Sequence, residues 1–323
     1  MLEIINITKN CLKKLRYLIE FLLTITTLII FRLLGLKRSS DYAGKLAIFI
    51  GKKLAVHKLA NKNLAGAMPN LTPRQRDDIL VKMWNNLGRM IGEYYYVTSA
   101  KLNDFIYRDK DNKSKNADLE VNFLDNSSQL LLSDLVAKTN NNSNNQKGAI
   151  IFSGHLGNWE VGPKFLEAFG LKVATVYRPL NNPWVESLVT KMRGGILIPK
   201  GVVGSRKIIE IIKKGGVVSI LADQKISEGI AVPFFHRPAI TTTAIARISL
   251  KYQVPIIPAR VIRLATTKFA VEMKKSIEFD ENTNLPENQD SCIFDITKKI
   301  NQQLEEWIVE YPDQWFWVHN RWK

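Results

Sequence analysis

The chain has 323 residues, with 46 lysines and arginines against 30 aspartates and glutamates, a formal net charge of +16. That excess points to anionic partners such as nucleic acid, anionic lipid, a phosphorylated substrate or an acidic carrier protein, although solvated lysine-rich faces account for part of it. Two cysteines, Cys11 and Cys292, exclude a disulfide framework and a cysteine-built metal centre, and they fit a reducing cytoplasm.

The first element is the run from Leu15 to Leu36, LRYLIEFLLTITTLIIFRLLGL, which carries no charge between Phe21 and Phe31 and is interrupted by Glu20 and Arg32 at its flanks. A full span needs ~20 apolar residues, so the run reads as a marginal membrane helix, either crossing the bilayer or lying in its interface. Lys13, Lys14 and Arg16 before it and Lys37 and Arg38 after it leave the orientation open. No small-residue cleavage site follows, which argues against a cleaved signal.

Helices are expected over Ala43 to Leu59 and Pro73 to Tyr96. The second opens with Thr72, Pro73 and Gln75 in a capping-box arrangement and carries Ile79, Leu80, Met83, Trp84, Leu87 and Ile91 at helical spacing. Residues 138–147, rich in asparagine, read as a disordered surface loop. From Gly148 onward, short β-branched runs (GAIIFS, LKVATVY, GILIP, GVVSILA, VPIIPARV) alternate with helical stretches. This is the pattern of an α/β fold with a mixed, mostly parallel central sheet flanked by helices. Phe269 to Phe279 is expected as an edge strand and Asp290 to Glu310 as a closing helix. The domain reading is an N-terminal membrane anchor over residues 1–40 and one large domain over residues 41–323.

The chemistry concentrates at Ser153-Gly-His-Leu-Gly-Asn-Trp-Glu160, where a strand ends and a helix begins. Within one helix His155 and Glu160 would lie ~140° apart, so they converge only if His155 sits in the loop and Glu160 in the first turn. Such a pair suits a base that takes the proton of an attacking hydroxyl, with the carboxylate fixing the ring's tautomer and backbone amides at the helix start receiving the oxyanion. By chance alone a His-x4-acid match is expected ~0.4 times in a chain of this composition, so a helix-capping histidine is the competing reading of the motif taken alone. No Gly-x-Ser-x-Gly elbow surrounds Ser153, no zinc-ligand spacing occurs, and no dinucleotide or Walker loop appears. No nucleic-acid signature accompanies the positive charge.

Five ordered blocks resemble one family: GHLGNWE, Tyr177-Arg-Pro-Leu-Asn-Asn-Pro183, Leu221-Ala-Asp-Gln224, Val232-Pro-Phe-Phe235, and Asp313-Gln-Trp-Phe-Trp-Val-His-Asn-Arg-Trp-Lys323. Together with the Asn63-Leu64 and Gly88-Arg89 neighbourhoods they are similar to the lipid A late (secondary) acyltransferases, within the lysophospholipid acyltransferase-like superfamily. The resemblance implies transfer of a lauroyl-type acyl group from acyl carrier protein to the hydroxyacyl chain of a Kdo-bearing lipid A precursor. It implies the cytoplasmic face of the bacterial inner membrane as the setting, and no cofactor beyond the thioester donor. It also implies His155 as base and Glu160 as its partner, with Arg178, Arg193, Asp223, Asn158 and Gln224 at the substrate. Two guanidiniums suit phosphate oxygens, with an Arg193–Asp223 salt bridge as their other reading. The chain departs from the family at Phe235-His236-Arg237, where Phe-Phe-Gly is usual. Trp315, Trp317 and Trp322 in the tail suit either a lipid headgroup layer or packing on the domain, and His319 reads as part of that tail. A lysophospholipid or glycolipid acyltransferase, a thioesterase and a non-catalytic lipid-binding protein are the competing functions.

Overall fold

The computed structural model describes residues 2–99, 119–140, 148–226, 228–278 and 289–322. Four helices come first: α1 (Leu2–Leu34), α2 (Leu36–Gly51), α3 (Ala55–Ala67) and α4 (Pro73–Ser99). The helix expected over Ala43 to Leu59 is in fact divided between α2 and α3 by a turn at residues 52–54. The capping box at the start of α4 is reciprocal: Thr72 N donates to Gln75 Oε1 at 2.8 Å, and Gln75 N to Thr72 Oγ1 at 3.3 Å. Gly88 lets α4 press on α2, because a Cβ there would meet the Ala43 carbonyl oxygen at 2.3 Å.

Among the described residues the main sheet holds seven strands in the order β1-β9-β8-β2-β5-β3-β4. These are β1 (Glu120–Phe123), β2 (Ala149–Ser153), β3 (Val173–Tyr177), β4 (Ile196–Pro199), β5 (Val217–Leu221), β8 (Ile256–Ala265) and β9 (Lys268–Met273). Strands β8, β2, β5, β3 and β4 run parallel; β9 turns back antiparallel to β8, and β1 lies parallel to β9. The fold is therefore α/β with a mixed, mostly parallel sheet. The strand expected at Phe269 is not at the edge: β1, too short and polar to stand out in the sequence, covers it. Helix α5 (Asn126–Asn140) runs through Lys138, whose ammonium pairs with Asp134, so the expected loop begins later and its remainder, 141–147, lies outside the described residues.

Alternation sorts the strands' side chains onto two cores. Ile150 and Phe152 face a cluster shared with the stripe Ile293, Ile296, Ile300, Leu304, Trp307 and Ile308 of α10 (Gln289–Glu310). Ala149 and Ile151 face the other cluster, with Phe165 and Leu166 of α6 (Val161–Ala168). The remaining helices are α7 (Pro183–Arg193), α8 (Val202–Lys213) and α9 (Ala244–Tyr252). After α10 the tail folds back through a 3-10 turn at Pro312–Gln314, and Trp315 and Trp317 are 1% and 0% exposed. These two tryptophans are core residues, which settles them as packing and not headgroup anchors. Asn63 Nδ2 holds the tail by donating to the carbonyls of Trp317 and His319.

A separate hairpin pairs β6 (Ile230–Phe234) with β7 (Arg237–Thr241), leaving Phe235 and His236 as a two-residue turn. Both are left-handed, at φ 49° and 58°. Phe235 is buried against Trp317 and Trp322, which offsets its strain, whereas the His236 side chain is exposed. His236→Gly is therefore expected to raise stability by about 1 kcal/mol, read as the midpoint of denaturant or thermal unfolding. An unchanged or lower midpoint would show that the side chain compensates for its backbone.

Candidate active site

Strands β2 and β5 are parallel neighbours with Ser153 opposite Leu221. His155 and Asp223 each lie two residues beyond that pair, so both leave the carboxyl edge of the sheet side by side, where α/β sheets place their sites. His155 Nδ1 lies 2.7 Å from Asp223 Oδ1, and the His155 backbone N–H donates to Asp223 Oδ2 at 2.8 Å. Trp315 Nε1 donates to the same Oδ2 at 2.8 Å. An ionised carboxylate only accepts, so Nδ1 carries the ring proton and Nε2 keeps its lone pair, 3.2 Å from the Gln224 amide nitrogen. Burial by itself would raise the Asp223 pKa. The positive charge of the ring in its protonated form and the hydrogen bonds from His155 and Trp315 outweigh it and hold the carboxyl far below the usual range.

Glu160 goes elsewhere. It stands immediately before α6, and its carboxylate takes the Arg193 guanidinium in a two-pronged pair, with Nε donating to Oε2 at 2.9 Å and Nη2 to Oε1. The expected His155–Glu160 contact is thus corrected to His155–Asp223, and the alternative Arg193–Asp223 bridge to Arg193–Glu160. The reason is tertiary: Glu160 looks across to the end of α7, while His155 looks along the sheet edge to β5. Beside the pair lies the buried hydroxyl of Tyr94 on α4. Burial first, then the Glu160 charge, raises its pKa, so it stays a neutral phenol.

The loop between His155 and Glu160 is fixed by its own bonds. Gly157, at φ 57°, is required there because a Cβ would meet the Val261 carbonyl oxygen at 2.5 Å. Asn158 is 0% exposed; its Nδ2 donates to Glu93 Oε2 at 2.8 Å and its Oδ1 accepts from Glu160 N at 3.3 Å. It braces the loop from beneath and is absent from the cavity wall, a correction to its expected place at the substrate. The amides of Leu156, Gly157, Glu160 and Val161 all have acceptors within the fold. These four are not free for an oxyanion.

A cavity of about 950 Å³ opens over this edge. Its polar lining includes His155, Gln224, Arg178, Lys200 and His319, together with Glu160, Arg193 and Tyr94. The His319 ring accepts from Lys225 N at 2.8 Å, which matches its reading as a tail residue. Across the floor, Leu197, Thr175, Ser219 and Ile151 stand in register on four adjacent strands and all line the cavity. Sequence reasoning missed Lys200, Tyr94 and the role of Trp315. It had Asp223 in hand but not its partner, which the matching two-residue offsets from paired strands would have supplied.

The site thus combines a partly buried imidazole oriented by a carboxylate, cationic side chains and a largely apolar chamber. The comparison with curated proteins gives no match. The family model of the bacterial lipid A biosynthesis acyltransferases matches residues 7–323, nearly the whole length, and the chain belongs to that family.

Proposed function

We propose that the protein moves a fatty acyl group, of lauroyl type, from the thioester of acyl carrier protein to the hydroxyl of an acyl chain on a Kdo-bearing lipid A precursor. The setting is the cytoplasmic face of the bacterial inner membrane, and no cofactor takes part because the thioester is already activated. The observation that carries the reading is the His155–Asp223 pair on the wall of a largely apolar chamber of about 950 Å³.

In this reading the acceptor hydroxyl attacks the thioester carbonyl carbon as His155 Nε2 takes its proton. Asp223 holds the ring and offsets the imidazolium charge. The tetrahedral intermediate then expels the thiolate, which takes the proton back from the imidazolium, leaving ester and free thiol. Gln224, Arg178 and Lys200 are the polar side chains placed to meet the oxyanion and the phosphates of acceptor or carrier. Glu160 serves by holding Arg193 on the wall.

The test is transfer from a series of acyl carrier protein thioesters to the Kdo-bearing tetraacyl precursor, with a lysophospholipid acceptor run beside it. Wild type is expected to transfer to the precursor, and His155→Ala to lose ~10²–10⁴-fold. Equal rates for the two proteins would make His155 structural. Transfer to the lysophospholipid alone would replace the acceptor.

A further inference from the structure

Residues Asn10–Leu34 of α1 have the length and apolar composition of a membrane span, and none of that stretch is buried inside the protein. An anchor alone would need only the outer face. Yet Leu23, Thr24, Thr27, Leu28 and Phe31, at i, i+1, i+4, i+5 and i+8, form one helical face and line the same cavity as His155. Met90, Ile91 and Tyr94 of α4, which packs on α1, line the same cavity. Thr24, Thr27, Leu28 and Phe31 are half-buried there and Leu23, at 63% exposure, is the rim of that face, while on the other side of α1 Leu22, Ile29, Ile30 and Leu33 are 53%, 52%, 49% and 81% exposed.

The helix is also docked at both ends of this face. Asn182, which caps α7 through its Oδ1, uses its Nδ2 to reach the Tyr17 carbonyl and Glu20 Oε2, each at 2.9 Å. Phe21 meets Trp184 edge-on at 6.1 Å. At the far end Tyr96 Oη donates to the carbonyls of Phe31 and Arg32, at 3.1 and 2.8 Å. Glu20, the charge that spoils the apolar run, is therefore a docking group. A carboxylate is costly at a lipid-facing position, and here, at 44% exposure, it is met by the Asn182 amide and by Arg16 one turn earlier at 3.3 Å.

We infer that α1 is a wall of the lipid site as well as an anchor: its inner face holds a hydrocarbon chain of the membrane-resident acceptor, which reaches the cavity from the bilayer past this helix. The choice of acceptor over donor rests on the proposed function. There the donor chain arrives on a soluble carrier, whereas the acceptor's chains already lie in the bilayer that bathes the outer face of α1.

The test uses the full-length protein in vesicles containing the lipid A precursor. Thr27→Trp and Leu28→Trp fill the inner face and are expected to raise the acceptor KM about 10- to 200-fold, with the thermal midpoint and membrane attachment retained. Ile30→Trp on the outer face is expected to match wild type. A precursor bearing a photoreactive group near the end of an acyl chain, used with the unmutated protein, should label the Leu23–Phe31 face at Thr27 or Leu28. Unchanged KM in both inner-face variants, or labelling confined to Ile29, Ile30 and Leu33, would overturn the inference. Wild type that labels at Thr27 but transfers nothing would remove the proposed reaction and leave the wall in place.

Discussion

Asp223→Asn is expected to lower kcat by roughly 10⁴-fold, the scale on which a triad carboxylate acts when its loss inverts the histidine tautomer. The asparagine amide can donate to Nδ1, which moves the ring proton to Nε2, and Nε2 then has no lone pair for the acceptor hydroxyl. Acidification cannot substitute for the mutation. The pKa of Asp223 is held far below its ordinary value by the His155 charge and the hydrogen bonds it accepts, against the effect of burial. The stability it contributes is complete above the unfolded pKa of ~3.9 and is lost only as pH falls through the native value, so the carboxylate persists at any pH suited to assay. Glu160→Gln is the informative comparison. It loosens Arg193 and is expected to raise the acceptor KM more than it lowers kcat. If instead Glu160→Gln lowers kcat further than Asp223→Asn, the histidine takes Glu160 as its partner during reaction and Asp223 is a structural carboxylate.

The second large effect is on stability. Glu93 is 0% exposed and carries a full carboxylate into the junction of α2, α4 and the site loop. Arg263 Nη1 and Nη2 meet its two oxygens at 2.5 and 2.8 Å, and Ser40 Oγ and Asn158 Nδ2 complete the shell at 2.7 and 2.8 Å. Arg263 also donates through Nε to Asn86 Oδ1 at 2.7 Å, and Asn86 in turn holds the Gly157 carbonyl at 2.9 Å. Arg263→Met leaves a buried charge without its counter-ion and is expected to cost ~3–5 kcal/mol, read from denaturant unfolding. Adding Glu93→Leu removes the stranded charge and should restore most of that loss. A double variant no more stable than Arg263→Met alone would place the cost in lost packing and not in the uncompensated carboxylate. The same network connects the helical layer to the backbone of the His155 loop, so kcat should fall with Arg263→Met even at temperatures where the protein stays folded.

Much of the frame was legible from local pattern. The β-branched runs at Ala149, Val217 and Ile256 are central strands buried on both faces, which a continuous apolar run records directly, and those at Val173 and Ile196 extend the sheet to a partly exposed edge. The capping box at Thr72 and the stripe of α10 are equally local signals, settled within a few turns of chain. What escaped was weak locally. β1 is four residues of mixed polarity whose place depends on pairing with β9 far along the chain. The β6–β7 hairpin turns on Phe235 and His236, without the asparagine or glycine that marks such a turn in sequence.

At the site, the sequence by itself determined the chemical inventory: an imidazole at a strand end, a nearby carboxylate, two arginines and a membrane-suited helix. The identity of the imidazole's partner was decided by the tertiary structure. Sequence proximity favoured Glu160, five residues away, but the register of two parallel strands brings Asp223 to His155 across 68 positions of chain. Trp315 is fixed on that carboxylate only because the tail folds back over the sheet edge. Likewise the composition of α1 marks it for lipid, while its docking through Asn182 and Tyr96 makes its inner face part of the cavity. Composition and periodicity record what each segment buries; which charges meet depends on the register and packing of segments distant in the chain.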